Sequence, residues 1–363
     1  MRERLATLVS LLPLLAAPLA ALPQAPAEQV LTQAPAATEP AKSWKEEPGP
    51  RATKSFDETW RDEKRGRDVP VRIFHPALDP AKPVEPWPVV LFSHGLGGTR
   101  ENYGTYGKHW SSWGYVVVHV QHLGSDDSVW RGNPQPMEAL QKAALDPANL
   151  LGRPDDIHFV IDELERRSQA EGWPLAGRID VARLAVAGHS FGAYTALAAG
   201  GRDLVNPLTR AKTELGDARV KCVIAMSPQG KAHERTNLTW EDFATPAFHM
   251  TGTKDESPIR GDSTPAERRI PFDTITRADQ FLLILDGARH DAFGDADRPL
   301  RRRESSYMPL ILPSSTAFLD AYLKNDAAAL AWLRDGGFKV RLGAAGTFET
   351  KLPAPAPVPA AAK

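Results

Sequence analysis

The fold is decided by the stretch LAVAGHSFGAYTALA, which spans residues 184–198. It opens with an apolar run typical of a buried strand and closes with residues that favour helix, and Ser190 stands between them in the pattern Gly-x-Ser-x-Gly. A serine on such a strand-to-helix corner sits on a strained turn that exposes its hydroxyl, and Gly188 and Gly192 let backbones approach where a Cβ would collide. The stretch therefore predicts Ser190 as a nucleophile, with a merely tight strand–helix turn as the alternative.

Further apolar runs lie on both sides of this corner along the chain. Strands are expected at 89–92, 116–120, 184–187, 220–226, 248–250 and 281–285. Runs that are apolar on both faces are typical of a mostly parallel sheet covered by helices. We therefore predict a doubly wound α/β fold with helices on both faces, whose ligand site lies at the carboxyl ends of the strands.

Two more patterns define elements around this sheet. Residues 58–61 and 69–74, separated by 64–66, predict an N-terminal antiparallel hairpin. Pro154 is followed by apolar residues at helical spacing, which predicts a helix that starts there, because proline is favoured in the first turn. A late helix is expected over 315–324.

The segment 93–98 reads SHGLGG and directly follows the strand at 89–92. A glycine-rich strand exit supplies backbone N–H groups that no sheet or helix has paired, which is what an oxyanion hole needs. We expect the N–H groups of Leu96 and Phe191 to form that hole. The loop could instead cradle phosphate, but the Gly-Lys-Ser/Thr of a phosphate-binding loop does not follow it.

A serine hydroxyl needs a base to take its proton, and that base needs a carboxylate to orient it. In α/β folds whose serine lies on a strand-to-helix corner, the three residues follow one another along the chain in the order serine, acid, histidine. His290 follows the strand at 281–285 and therefore lies at the carboxyl edge, as the base requires. His249 lies inside an apolar run and is expected to be a core residue. His233 lies in a polar stretch and is expected to be solvated.

The carboxylate that orients the base is predicted to be Asp255. It follows the strand around 247–250, next to the strand that carries the histidine, so it can reach the imidazole laterally. Glu256, which is adjacent to Asp255, and Asp286 and Asp291, which flank His290, are the alternatives. A carboxylate as near the histidine in sequence as Asp286 and Asp291 usually faces elsewhere.

Two segments are candidates to shape the pocket. Residues 122–137 follow a strand end and contain Trp130, which we predict to contact substrate, and residues 257–272 follow the predicted acid. Both segments could equally be plain surface loops. Neither resembles a large apolar lid, so the sequence does not indicate activation on lipid droplets.

The composition excludes several other classes of protein. The formal net charge is −1 and no basic stripe with interleaved aromatics is present, so a nucleic-acid partner is not expected. Cys222 is the single cysteine, which excludes an intramolecular disulfide and a thiolate metal cluster. Because Cys222 lies in an apolar run, it is expected to be a core residue.

The ends of the chain differ in composition from its middle. Residues 1–27 combine a basic start, an apolar run and an Ala-x-Ala site before Glu28, which predicts a cleaved signal peptide and export to a periplasm or the medium. A membrane anchor is the alternative, but Pro13 and Pro18 interrupt the apolar run. Residues 28–52 and 351–363 are rich in Pro and Ala and are expected to be disordered, so the catalytic domain is predicted at 53–350.

These motifs together resemble the α/β-hydrolase superfamily. Within it, SHGLGG at 93–98, GHSFG at 188–192 and the loop of His290 are most similar to the platelet-activating-factor acetylhydrolase and dienelactone-hydrolase-like branch, which is also similar to bacterial cutinase-like polyesterases. The resemblance implies the α/β-hydrolase fold and hydrolysis of acyl esters through a covalent acyl-enzyme, without metal or organic cofactor. Dienelactone hydrolases proper use a cysteine where this chain has Ser190.

The sequence thus predicts a serine esterase that acts on a small-molecule or lipid-like ester with a short- to medium-chain acyl group, without stable membrane insertion. An acyltransferase or amidase with the same triad is one alternative, because sequence does not distinguish water from another acyl acceptor. A non-catalytic binding protein that keeps the fold is another. The presence of Ser190, Asp255 and His290 in the expected order favours an enzyme.

Overall fold

The protein is built on a nine-stranded sheet, seen in a computed structural model that describes residues 44–78, 85–205, 208–230, 238–257, 259, 263–294 and 305–353. The strands are β1 (Thr53–Asp62), β2 (Arg67–Pro76), β3 (Trp87–Ser93), β4 (Val116–Val120), β5 (Ile179–His189), β6 (Asp203–Val205), β7 (Lys212–Thr213), β8 (Val220–Met226), β9 (Leu238–Thr239), β10 (Ala247–Lys254), β11 (Gln280–Arg289) and β12 (Gly346–Lys351). The helices are α1 (Gly104–Ser112), α2 (Pro136–Leu145), α3 (Pro147–Ser168), α4 (Phe191–Ala199), α5 (Ile270–Thr274), α6 (Met308–Leu323), α7 (Ala327–Arg334) and α8 (Gly337–Leu342). Short 3₁₀ helices span Asp127–Val129, Pro265–Arg269, His290–Phe293, Ser305–Tyr307 and Gly343–Ala345.

The order of strands in the sheet is β1-β2-β4-β3-β5-β8-β10-β11-β12. The six strands from β4 to β11 are parallel to one another, whereas β1, β2 and β12 pair antiparallel at the two sides. Strands β6, β7 and β9 form a separate small sheet. The predicted mostly parallel sheet, with its N-terminal antiparallel hairpin, is confirmed, and the architecture is that of an α/β-hydrolase.

Both faces of the sheet are buried under helices. In β3, Val89 and Leu91 pack into a cluster with residues of α3 and α4, whereas Val90 and Phe92 pack into a second cluster with residues of α1 and α6. Successive side chains of a strand point to opposite faces. The continuous apolar run of β3 therefore reflects two cores, one on each face of the sheet.

Helix α3 starts earlier than the sequence pattern indicates. It begins at Pro147, after Asp146, whose side chain accepts a hydrogen bond from the Ala148 N–H at 2.9 Å. Pro154 lies inside the helix, so the prediction that it occupies the first turn is wrong. Asp-Pro at 146–147 is the stronger start signal, because aspartate satisfies a free N–H group of the first turn and proline needs no acceptor there.

The folded part of the chain also begins earlier than predicted. Trp44 donates its indole N–H to Asp320 on α6 at 3.1 Å, and Arg341 on α8 pairs with Glu46. Residues 44–52, placed in the linker at 28–52, are therefore held against the domain, since an aromatic ring and paired charges offset the cost of ordering them. At the other end, Lys351 still belongs to β12.

Some predicted features lie outside the described residues. The signal segment at 1–27, most of the linker, His233 and the last ten residues are among them. Among the residues that are described, no helix has both the length and the apolar character needed to cross a bilayer.

Candidate active site

Ser190 occupies a strained corner between β5 and α4. Its backbone has φ 56° and ψ −118°, and a positive φ is uncommon for a residue with a side chain. A Cβ on Gly188 would overlap the carbonyl of Gly192, and one on Gly192 would overlap the carbonyl of Ser93. The two glycines are thus required by the close packing of α4 against the strand ends.

Three side chains meet at the carboxyl edge of the sheet. The Nε2 of His290 lies 2.9 Å from the Ser190 Oγ, and its Nδ1 lies 2.7 Å from the Asp255 Oδ1. Because an ionised carboxylate can only accept, Nδ1 carries the imidazole proton and Nε2 accepts the hydrogen bond of the serine hydroxyl. The three residues predicted from strand ends and chain order are therefore in direct contact.

The Asp255 carboxylate is buried. Burial alone would raise its pKa, but the hydrogen bond from His290 and the positive charge of Arg268 outweigh that effect and hold the pKa of Asp255 below its ordinary value. Thr251 also donates its hydroxyl to Asp255 Oδ2 at 2.8 Å. The carboxylate is therefore ionised at neutral pH and held by donors on both oxygens.

The alternative acids and the alternative base that the structure describes do not occupy the positions that Asp255 and His290 occupy beside Ser190. Asp286 is exposed and accepts the Thr253 hydroxyl at 3.1 Å, and Glu256 is exposed at the rim. His249 is buried, and its Nε2 lies 2.7 Å from the Gln280 side-chain oxygen, as expected for a core residue. Asp291 lines the cavity described below.

Two backbone N–H groups are available beside Ser190. Phe191 is the first residue of α4, where helical N–H groups have no acceptor within the helix. In the loop after β3, the Gly97 N–H donates to the Ser125 carbonyl at 2.8 Å, while the Leu96 N–H has no acceptor among the described residues. The N–H groups of Leu96 and Phe191 are thus able to donate to a ligand, and the oxyanion hole predicted from sequence stays a prediction.

Arg153 of α3 links the two segments that carry these donors. Its buried guanidinium donates to the His94 carbonyl and, at 2.8 Å, to the Thr195 hydroxyl on α4, and it lies 4.4 Å from the centroid of the Phe191 ring. Burial lowers the pKa of Arg153 to about 9. Sequence reasoning missed this residue, although a signal was present: Arg153 precedes Ile157 by one helical turn on the buried stripe of α3.

His189, inside the Gly-x-Ser-x-Gly pattern, supports the backbone of His290. Its Nε2 lies 2.8 Å from the His290 carbonyl oxygen, and its Nδ1 lies 2.8 Å from the Tyr103 hydroxyl. Since a carbonyl can only accept, Nε2 carries the proton. Burial lowers the pKa of His189 to about 3, so this imidazole is neutral and serves as a fixed hydrogen-bonding spacer.

A cavity of about 680 Å³ opens above Ser190 and His290. One part of its lining is apolar and another is charged; the apolar side chains are Leu96, Met137, Leu140 and Ile259, and the charged ones are Lys254, Glu256, Arg289 and Asp291. Both segments predicted to shape the pocket contribute to it, through Met137 and through Ser257 and Ile259.

Trp130 does not line this cavity, in contrast to its predicted contact with substrate. Its indole N–H donates to the Gly97 carbonyl at 2.8 Å, and its ring packs where a Cβ of Gly97 would lie. The hydrogen bond holds the indole against the glycine-rich loop. The structure therefore places Trp130 in contact with the loop itself.

The described residues contain no group of three or more His, Cys, Asp or Glu side chains arranged to hold a metal ion. Cys222 lies buried in β8, where burial raises the pKa of its thiol.

The chain is also similar to known proteins. Residues 72–132 match the family model described as platelet-activating factor acetylhydrolase, isoform II. Over 183 residues the chain is 27% identical to a platelet-activating factor acetylhydrolase of Cavia porcellus; the alignment covers 41% of this chain and 36% of that relative. The chain thus spans about a third (36%) of the length of the relative that it matches. These matches confirm the predicted resemblance to the platelet-activating-factor acetylhydrolase-like branch of the α/β-hydrolases.

Proposed function

We propose that this protein is a serine esterase whose nucleophile is Ser190, whose base is His290 and whose orienting acid is Asp255. The observation that carries the proposal is the continuous chain of contacts from Ser190 Oγ to His290 Nε2 at 2.9 Å and from His290 Nδ1 to Asp255 at 2.7 Å, at the floor of an open cavity. The family match gives independent support, because residues 72–132 include the glycine-rich loop at 93–98.

In the first stage, Ser190 Oγ attacks the ester carbonyl while His290 Nε2 takes its proton. The carbonyl π electrons move onto the oxygen, and the N–H groups of Leu96 and Phe191 donate to the resulting oxyanion. When the tetrahedral intermediate collapses, the bond to the alcohol oxygen breaks, and His290 gives its proton to that oxygen. The free alcohol and an acyl-Ser190 ester are the products of this stage.

In the second stage, water replaces the alcohol. His290 removes a proton from water as the hydroxide attacks the acyl carbonyl, and the same two N–H groups stabilise the second oxyanion. Collapse breaks the bond to Ser190 Oγ and returns the proton to it. Asp255 remains ionised throughout, because its role is to stabilise the imidazolium and to hold its orientation.

The cavity favours a short- to medium-chain acyl group. Its apolar lining is limited to a few side chains, and a volume of about 680 Å³ is within the ordinary range for sites of small ligands. An ester of moderate size can place its acyl group against Leu96 and Leu140 while its carbonyl lies above Ser190. Long acyl chains would extend past the charged residues at the rim.

The test is a series of p-nitrophenyl esters of increasing acyl length, together with a fluorophosphonate probe. We expect hydrolysis with a maximum at short or medium chains and labelling at Ser190. The Ser190→Ala variant should lose at least about 10⁴-fold in kcat and should not be labelled. Ser263→Ala, a buried serine on another loop, serves as the control. Near wild-type hydrolysis by Ser190→Ala, or no labelling of the wild type, would end the proposal.

A further inference from the structure

A buried arginine, Arg268, lies beside the acid of the candidate triad. Arg268 belongs to the 3₁₀ helix Pro265–Arg269, and its side chain is fully buried. Its Nε lies 3.0 Å from the Asp255 Oδ1 and donates to the Asp255 backbone carbonyl at 2.7 Å. The same guanidinium therefore holds both the main chain and the side chain of the predicted acid.

The other nitrogens of Arg268 reach two neighbouring strand ends. Nη1 donates to the carbonyls of Ser227 and Pro228, just after β8, at 2.9 and 3.1 Å. Nη2 lies 3.2 Å from Nδ1 of His290, just after β11. Because Asp255 follows β10, one planar group spans the carboxyl ends of three adjacent strands.

The rigid fork of arginine suits this task better than the single nitrogen of lysine. A buried carboxylate with one histidine partner could rotate or take up a proton, and either event would release the imidazole. The guanidinium opposes both, since its positive charge lies beside Asp255 Oδ1 and its Nε–H anchors the Asp255 backbone carbonyl. Arg268 is absent from the lining of the cavity, so it does not contact substrate there.

We propose that Arg268 is a positioning residue of this active site, which fixes the ionised Asp255 and, through it, the His290 ring in the orientation that serves Ser190. This inference rests on the proposed esterase function and goes beyond it. Among the described residues, the charged or titratable side chains in contact with the His290 ring include Asp255, Arg268 and the neutral His189.

The first test replaces Arg268 by Met, which keeps the length and removes the charge and the donors. We expect kcat to fall about 100-fold and KM to stay unchanged. This value lies midway, on a logarithmic scale, between no effect and the roughly 10⁴-fold loss of kcat that a misoriented base causes. The acid limb of the kcat profile should move to higher pH, because the charge of Arg268 helps to hold the pKa of Asp255 down and protonated Asp255 becomes easier to form without it. Arg269→Met is the matched control: this neighbour pairs with Asp273 and Glu349 away from the site. The control should keep wild-type kcat and pH profile.

The second test asks whether Arg268 acts through Asp255. In the Asp255→Ala background the guanidinium has no carboxylate to hold and only opposes the imidazolium. Arg268→Met should therefore cost no further activity there, and should even restore some. An equal loss of kcat in both backgrounds, or wild-type kcat in Arg268→Met, would overturn the inference.

Two further measurements test the inference in cases where kinetics of Arg268→Met would fail. One case is that Arg268→Met folds poorly, and the other is that the protein has no esterase activity. Arg268→Lys keeps the charge but loses the fork, and we expect kcat to fall about tenfold; wild-type kcat in this variant would refute the positioning role. The low-field NMR signal of the His290 Nδ1 proton should be present in wild type and in Arg269→Met and shifted in the Arg268 variants. An unchanged signal contradicts the inference, and the measurement needs no substrate, so a failure of the esterase proposal remains distinguishable.

Discussion

The contacts of Asp255 make an unusual prediction for the Asp255→Asn variant. In many triads an asparagine at this position turns its NH₂ group toward the histidine, which forces the wrong tautomer and costs about 10⁴-fold in kcat. Here Arg268 Nε lies 3.0 Å from Oδ1, the oxygen that also receives the His290 proton. An NH₂ group at that position would face the positive charge of the guanidinium, so the amide oxygen is expected to take it.

The opposite side of the side chain accommodates the NH₂ group. Oδ2 of Asp255 accepts the Thr251 hydroxyl at 2.8 Å, and a hydroxyl can rotate to accept in its turn. The variant therefore keeps the productive tautomer and loses only the charge beside the imidazolium. A pair of unit charges about 4 Å apart at an effective dielectric of about 20 is worth about 4 kcal/mol. We thus expect kcat to fall about 10³-fold, an order of magnitude less than a tautomer change would cost.

The assay combines single-ester kinetics with ¹⁵N NMR of labelled histidine. The spectrum should show the proton of His290 on Nδ1 in both wild type and Asp255→Asn. Adding Thr251→Val to Asp255→Asn removes the acceptor for the NH₂ group and should lower kcat further, whereas Thr251→Ser should not. A spectrum of Asp255→Asn with the proton on Nε2, accompanied by a loss near 10⁴-fold, would refute the argument.

Two further predictions concern buried charges. Arg153→Met should lower kcat about 100-fold or more with little change in KM, because it loosens both segments that carry the predicted oxyanion donors, and removal of one such donor costs about 10²–10³-fold. Ester kinetics would check this, with Arg166→Met, on the exposed face of the same helix, as the control. An equal effect of the two substitutions on kcat would contradict the prediction. Asp320 pairs with Lys45 and Lys324, and although burial alone would raise its pKa, these cations hold the pKa of Asp320 below its ordinary value. Its stabilising contribution is therefore present above about pH 4 and is lost as the pH falls below the ordinary aspartate range. Urea unfolding of Asp320→Asn should accordingly show a deficit in the free energy of unfolding at pH 7 that narrows at pH 3, and a deficit that does not depend on pH would exclude this linkage.

The sheet and the three meeting side chains were predictable because each depends on local patterns. Runs that are apolar on both faces identify parallel strands, and the residues just after such runs must share one edge of the sheet. Asp255 and His290 follow β10 and β11, which are neighbours in the sheet, so their meeting follows from strand order. The elbow at Ser190 needs only its two glycines and its flanking elements.

Other features depend on contacts between distant parts of the chain, and local patterns do not encode these. Trp130 is an exposed aromatic in a loop at the correct edge, which made it a reasonable candidate for contact with substrate. Its actual partner is the Gly97 carbonyl, far away in sequence. Similarly, Pro154 does lie in a helix, but that helix already begins at the pair Asp146-Pro147. One continuous helix needs a single costly nucleation step, whereas two separate helices would need two.

Arg268 and Arg269 show most clearly the difference between features that local sequence patterns predict and features that depend on contacts between distant parts of the chain. They are identical neighbours in one short polar segment, and intrinsic preference assigns both to the surface. One of them is fully buried beside Asp255, and the other lies at the surface between Asp273 and Glu349. The difference arises only when the 3₁₀ helix packs against the ends of β8, β10 and β11, where carbonyls and a carboxylate need donors that the sheet does not supply. The residues proposed to carry out the chemistry can thus be located in the sequence, because they follow the ends of strands. A residue that holds them in place cannot be located in this way, because its position depends on unpaired acceptors that come together only when the chain folds.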